Sequence, residues 1–471
     1  MRSTYICVAL AAAIIASPCA NAATNARWFT LSVDGVRTGY AREEQRIVAN
    51  ENQQSETVTL FVRELGHDSR MQRHIEFRSS AAGKPLAFDY ELTAGTVHQT
   101  LHATFSSDKS LKIATSPADQ SIDLPGDTLF TPDRSERFAA LWKHDQSAID
   151  LLIFDPVRRT SGHVRANIIA DTPTNQVHVR ATSGASRKGA QEDTWFDTEG
   201  NIERIESNLL GTRLTWTPCE HECDAPVAQP VDPMDRLVVR SPVQIPDWFK
   251  HRKLRYVIVR SDGERPRVAQ TMEQATVFDG ARAVVTICDA CGDTERPTTA
   301  ELALYLASNA WVQNDDPEIH HLALNTVPHS ASVNFRMRKL QELVVHRMLS
   351  GHADFLGYSD ALTALHTGSG DCTEFAVLLA ALARAQGIPT RVVAGLAYSD
   401  RFSGKKDVFS PHAWVQAWDG ARWRSYDAAL NSFDSTHVAL AVGSGDPGEF
   451  DTLLAQLPLL KIEKVGAVRE N

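Results

Sequence analysis

Gly368-Ser369-Gly370-Asp371-Cys372-Thr373-Glu374-Phe375, running on into Ala376-Val377-Leu378-Leu379-Ala380-Ala381-Leu382, is the stretch on which the fold of this chain turns. The glycines and serine make a turn, after which Phe375, Leu378, Leu379 and Leu382 recur at the spacing of one helix face. Asp371 and Glu374 stand where an N-cap and its reciprocal partner belong, so Cys372 is expected to open the helix. Gly387-Ile388-Pro389 closes it. A thiol there feels the partial positive charge of the helix terminus, and the unpaired N–H groups beside it can receive an oxyanion. The two acids oppose thiolate formation, so a cationic partner is required.

His412 supplies that partner. Pro411-His412-Ala413-Trp414-Val415-Gln416-Ala417-Trp418 reads as a strand, Asp419-Gly420 as a turn, and Ala421 to Ala428 as the returning strand. With a two-residue turn, Trp418 faces Ala421 and His412 faces Asp427 on one side of the sheet. A four-residue loop, Asp419 to Arg422, would instead set Asp427 opposite Trp414 and leave His412 a diagonal neighbour. A carboxylate beside an imidazole fixes its tautomer and stabilises its protonated form, the third role in a Cys-His-Asp arrangement. Trp414, Trp418 and Trp423 are read as packing residues. Adjacent His320 and His321 diverge on either kind of element and, with His366, are not read as metal ligands.

Gly370-Asp371-Cys372 heading a helix, Arg384-Ala-Gln-Gly-Ile-Pro-Thr-Arg-Val-Val-Ala-Gly395, His412-Ala413-Trp414 and Tyr426-Asp427 together resemble the bacterial transglutaminase-like core. The resemblance covers roughly Pro297 to Leu460, about a third of the chain. It implies a papain-like α+β fold, with Cys372, His412 and Asp427 at the nucleophile, base and orienting positions and no cofactor. Tissue transglutaminases carry a tryptophan directly after the cysteine, where Thr373 stands here, so amine cross-linking does not follow from the core alone. The expected function is that of a thiol enzyme acting on amide bonds of protein or peptide substrates through a thioester, by acyl transfer or hydrolysis. The alternative is a non-catalytic envelope binding or assembly module that retains the fold.

Before that core, residues 23–218 alternate in β-rich segments such as Thr57-Val58-Thr59-Leu60-Phe61-Val62, with a hairpin expected about Asp34-Gly35 and a helix at Ser135 to Trp142. This predicts an antiparallel β-rich domain, able to present substrate or dock an envelope partner. Residues 219–296 read as a connector with additional strands, and 297–471 as the catalytic domain. At the start, Arg2, the apolar run Tyr5 to Ala16 and Ala20-Asn21-Ala22 form a signal peptide over residues 1–22, which predicts export, with a periplasmic destination. No later run is apolar enough to insert in a membrane. Cleavage would remove Cys7 and Cys19 of the 7 cysteines. Cys219, Cys223, Cys288 and Cys291 then fall into two close pairs, as disulfides in an oxidising compartment or as a four-thiolate zinc site, and Cys372 stands alone. Lysine and arginine number 48 against 58 acids without a basic cluster, which argues against nucleic acid binding.

Overall fold

The computed structural model describes residues 25–468 except 65–66, 95–96, 108–109, 115–119, 126–127, 130–136, 140, 142–145, 156–158, 170–174, 184–190, 210–211, 226–229, 231, 233, 293–295 and 351–357. The expected signal peptide lies outside the described residues. Alternation with a period of two carries the first part of the chain. Fifteen strands, from β1 (Asn25–Val33) to β15 (Thr212–Cys219), form one sheet in which two meanders meet where β1 pairs with β15. Neighbours are antiparallel apart from a short parallel contact of Thr128–Leu129 with Ala148–Asp155. The inward residues Phe29, Leu31, Val58, Leu60, Phe196 and Leu214 make one core and Phe77, Phe88, Tyr90, Leu111 and Ile113 a second. Where the helix was expected, residues 137–139 and 141 are helical, and Phe138 and Leu141 plug the first core. Asp34 and Gly35, at φ 47 and 83, make the expected two-residue turn, with Val33 paired to Val36.

A third core runs from Leu237 to Ile462, so residues 239–287, read from the sequence as connector and additional strands, pack into the C-terminal unit. There β16 (Val239–Arg240) adds an edge to the site's sheet, while β17 (Leu254–Arg260), β18 (Gln274–Asp279) and β19 (Arg282–Ile287) build a second sheet. Helices α1 (Thr299–Leu304), α2 (Pro317–Thr326), α3 (Val333–Arg347) and α4 (Ala361–Thr367) follow, with a short parallel pair β20 (Leu349–Ser350) and β21 (Ser369–Gly370) before α5 (Cys372–Ala385). The remaining strands are β22 (Thr390–Phe402), β23 (Lys405–Trp418), β24 (Trp423–Tyr426), β25 (His437–Gly443) and β26 (Leu460–Ala467), the last paired with β17. Taken over the described residues strands dominate, so the α+β label fits the C-terminal part and is loose for the molecule.

The amphipathic reading of α5 understates its burial. Every residue from Glu374 to Arg384 is buried, because α2, α3 and α4 cover one side and β22 and β23 the other. Small Ala376, Ala380, Ala381 and Ala383 let those neighbours approach on all sides. Against it, β23 turns Ala413, Val415 and Ala417 into the same core, while Trp414 joins Val393 and Ala439 on the sheet's other face. The two parts of the chain touch near the site: Gln99 donates to the Tyr358 carbonyl (2.8 Å) and the Ser359 hydroxyl (3.3 Å), and Arg159 lies 3.9 Å from Asp360.

Candidate active site

Asp371 caps α5, accepting from the N–H groups of Thr373 and Glu374, while Glu374 accepts from the Asp371 N–H at 2.9 Å. Gly370 is needed for this box, since a Cβ there would stand 2.4 Å from the Glu374 Cβ. Cys372 is thus the first helical residue, half-buried and, among the described cysteines, the free one. The cap occupies two of the N–H groups expected beside the thiol, which leaves the Cys372 N–H itself as the donor nearest the nucleophile. Burial pushes the Cys372 thiol well above its ordinary value, Asp371 adds to this, and a hydrogen bond from the Ala413 N–H opposes them only in part. Glu374 is likewise held well above the carboxylate range by burial and by Asp371.

The hairpin register differs from the first expectation. Trp418 pairs with Trp423 and Val415 with Tyr426, so the loop is the four residues 419–422 and His412 is not directly opposite Asp427. Asp419 is the reason: its Oδ1 accepts from the N–H groups of Ala421 and Arg422, both at 2.8 Å, and its own N–H bonds the Arg422 carbonyl at 3.0 Å. These bonds stabilise a wider loop than the Asp-Gly pair alone suggests. The two side chains still meet diagonally. His412 Nε2 lies 2.7 Å from Asp427 Oδ2, with both residues buried. Asp427 Oδ1 accepts from the N–H groups of Ala429 and Leu430 at 2.8 and 3.1 Å. Burial alone would raise this carboxyl, but the adjacent His412 and the bonds from His412 and His437 hold it well below the usual carboxylate range. His412 shares its face of β23 with Trp414, their ring centroids 6.2 Å apart. The thiol's described contact is to the neighbouring Ala413, and among the described residues no hydrogen bond joins Cys372 to His412.

His437 went unmarked in the sequence. It opens β25 and places Nε2 2.9 Å from the same Asp427 Oδ2, while its Nδ1 faces the Asp434 carbonyl (3.1 Å) and carboxylate (3.2 Å). The strand that carries it fits because Gly395, opposite His412 on β22, has no side chain: a Cβ would lie 2.1 Å from the Val438 carbonyl oxygen. A histidine heading the apolar run Val438-Ala439-Leu440-Ala441-Val442 was the available signal. The ligand atoms of His412, Asp427 and His437 lie within 4.8 Å of one another. Two nitrogens at 2.7 and 2.9 Å from one oxygen are hydrogen-bonded, whereas donors around a tetrahedral zinc would stand roughly 3.3 Å apart. Cys219 bonds to Cys223 and Cys288 to Cys291, with Cα separations of 5.7 and 5.6 Å, so each pair closes locally. His366 is engaged by Glu318 at 2.8 Å.

Residues 329–428 match the family model of the transglutaminase-like superfamily. The chain carries a transglutaminase-like domain. An uncharacterized protein of Mycobacterium leprae is 39% identical over 90 residues, which span 19% of this chain and 32% of that relative. Among solved structures, the periplasmic domain of TgpA from Pseudomonas aeruginosa is 18% identical, covering 41% of this chain and 89% of that one at a TM-score of 0.27. A β-barrel-like protein of a domain of unknown function from Brucella abortus is 11% identical, covering 41% of this chain and 95% of that one at a TM-score of 0.35. Cys372, His412 and Asp427 all belong to the transglutaminase-like domain, whereas His437 lies beyond the matched residues.

Proposed function

We propose that the protein is a thiol enzyme acting on amide bonds of protein or peptide substrates. Cys372 attacks the carbonyl carbon, and its proton passes to His412 and leaves with the departing amine or ammonia, so that a thioester remains. Water or a second amine attacks the thioester carbon and breaks its C–S bond, with His412 taking the incoming proton and returning it to the departing Cys372 sulfur. Asp427 orients His412, and the Cys372 N–H at the start of α5 stabilises the oxyanion. The observation that carries this reading is the buried 2.7 Å contact of His412 with Asp427, beside the helix that opens on a free cysteine. Export to the periplasm, and a role for the β-rich domain in binding substrate or an envelope partner, belong to the same proposal.

The raised thiol and its contact to Ala413 rather than to the His412 ring favour the second reading, a binding or assembly module without turnover. Ammonia release from a glutamine-containing peptide, with and without an added primary amine, separates the two. Turnover that disappears in Cys372→Ala supports the enzyme, incorporation of the amine identifies transfer, and a native protein that releases nothing while remaining folded rejects it.

A further inference from the structure

We infer that His437 is a positioning residue for this chemistry, holding the Asp427 carboxylate against His412 from one side while Asp434 holds His437 from the other. The inference rests on the functional reading above and extends it from three residues to a line of five: Cys372, His412, Asp427, His437 and Asp434. Asp427 Oδ2 receives both imidazoles, at 2.7 and 2.9 Å, and Oδ1 receives two backbone N–H groups, so the carboxylate is bonded on every side and cannot turn away from His412. His437 is 2% exposed, and an imidazole buried that deeply is costly unless both nitrogens are paired. Its Nε2 faces Asp427 and its Nδ1 faces Asp434. Trp414 and Phe433 close the remaining space, with ring centroids 5.2 and 5.0 Å from that of His437.

The titratable groups nearest His437 are Asp427, Asp434 and His412. His412 lies across Asp427 with its ring centroid 5.6 Å away, and Lys250 and Tyr256 interact with Asp434 from outside the triad. Burial would lower the proton affinity of His437, but hydrogen bonds to Asp427 and Asp434 raise its pKa to about 9. At neutral pH the carboxylate therefore lies between His412 and a fixed imidazolium. That cation offsets part of the negative charge of Asp427 that acts on the Cys372 thiol, so removing it moves the ionisation of the thiol to higher pH.

The experiment is the pH dependence of Cys372 alkylation by iodoacetamide, alongside kcat and KM on the glutamine peptide. His437→Gln keeps an N–H for Asp427 and loses the charge. Its alkylation profile is expected to move up by roughly one pH unit, with KM unchanged and kcat lowered about 10-fold. His437→Phe, which loses both, is expected to lose about 100-fold in kcat. Asp434→Asn leaves His437 in place and shifts the profile the same way by less, which keeps the test available if the larger changes unfold the protein. Profiles that superimpose on the native one in all variants, with only the melting temperature changed, overturn the inference. So does stoichiometric zinc bound to the native protein and lost from His437→Gln. Turnover that survives Cys372→Ala rejects the functional reading instead, and the alkylation profile still reports on His437.

Discussion

At the scale of single residues, the site is a set of charges whose protonation the fold controls. Replacing Asp427 with alanine removes the acceptor for two imidazoles and leaves both buried, and acylation of Cys372, followed by burst kinetics, should slow by at least ~100-fold. His437 carries a stability consequence with a definite sign. Its folded-state pKa of about 9 lies above the ordinary value of 6.5, so its contribution is complete below about 6.5 and is lost as pH rises through about 9. That contribution amounts to about 3 kcal/mol at most. The melting temperature of the native protein should fall between pH 7 and 9.5 while that of His437→Gln stays flatter; parallel curves by differential scanning fluorimetry would show that His437 does not titrate in the folded state. That Cys372 opens a helix and that His412 meets Asp427 were legible in the sequence, because a helix cap marks the first and a strand with its turn the second. His437 was not, because its partnership with Asp427 depends on the pairing of β25 with β22, which no local spacing encodes.

Between residue and molecule, the elements show how far a local signal reaches. The same dipeptide, Asp-Gly, makes a two-residue turn at Asp34-Gly35 and heads a four-residue loop at Asp419-Gly420. The difference lies in what the aspartate side chain finds. Asp34 is drawn outward to Arg236 at 2.6 Å and to the Arg213 N–H, whereas Asp419 folds back on its own loop and is braced by Arg424 at 2.7 Å. An Asp419→Ala change should cost about 1–2 kcal/mol, seen as a lower denaturant midpoint with an unchanged slope. The His412–Asp427 contact survived the altered count because a shift of two residues keeps both side chains on one face, where a shift of one would have separated them. Gly395 sets the other strand in place. Gly395→Ala would force β25 off the Val438 carbonyl contact and is expected to destabilise by about 2 kcal/mol or more, with Cys372 alkylation altered by the displacement of His437. A variant as stable as the native protein would show that β22 and β25 can separate without cost.

For the whole molecule, the sequence separated a β-rich part from a helix-containing part, and it missed that strands from residues 239–287 complete the second. The apolar alternation of β17 and β19 looks like that of the first fifteen strands, so composition alone could not tell which core they join. Among the described cysteines, local closure of Cys219–Cys223 and Cys288–Cys291 predicts that iodoacetamide modifies Cys372 alone under native, non-reducing conditions, and that those four become reactive on reduction and unfolding. Peptide mapping that finds Cys288 or Cys291 labelled beforehand contradicts the pairing. The unequal packing of the two parts also bears on mutational tolerance. Along α5 no position from Glu374 to Arg384 has a free face, whereas strands of the large sheet such as Thr212–Cys219 leave residues outside the core between buried ones. A library of random variants should therefore be emptied along that helix and well populated across the strands, so that inheritable change in this protein accumulates in the β-rich part while the helix beneath Cys372 stands nearly still.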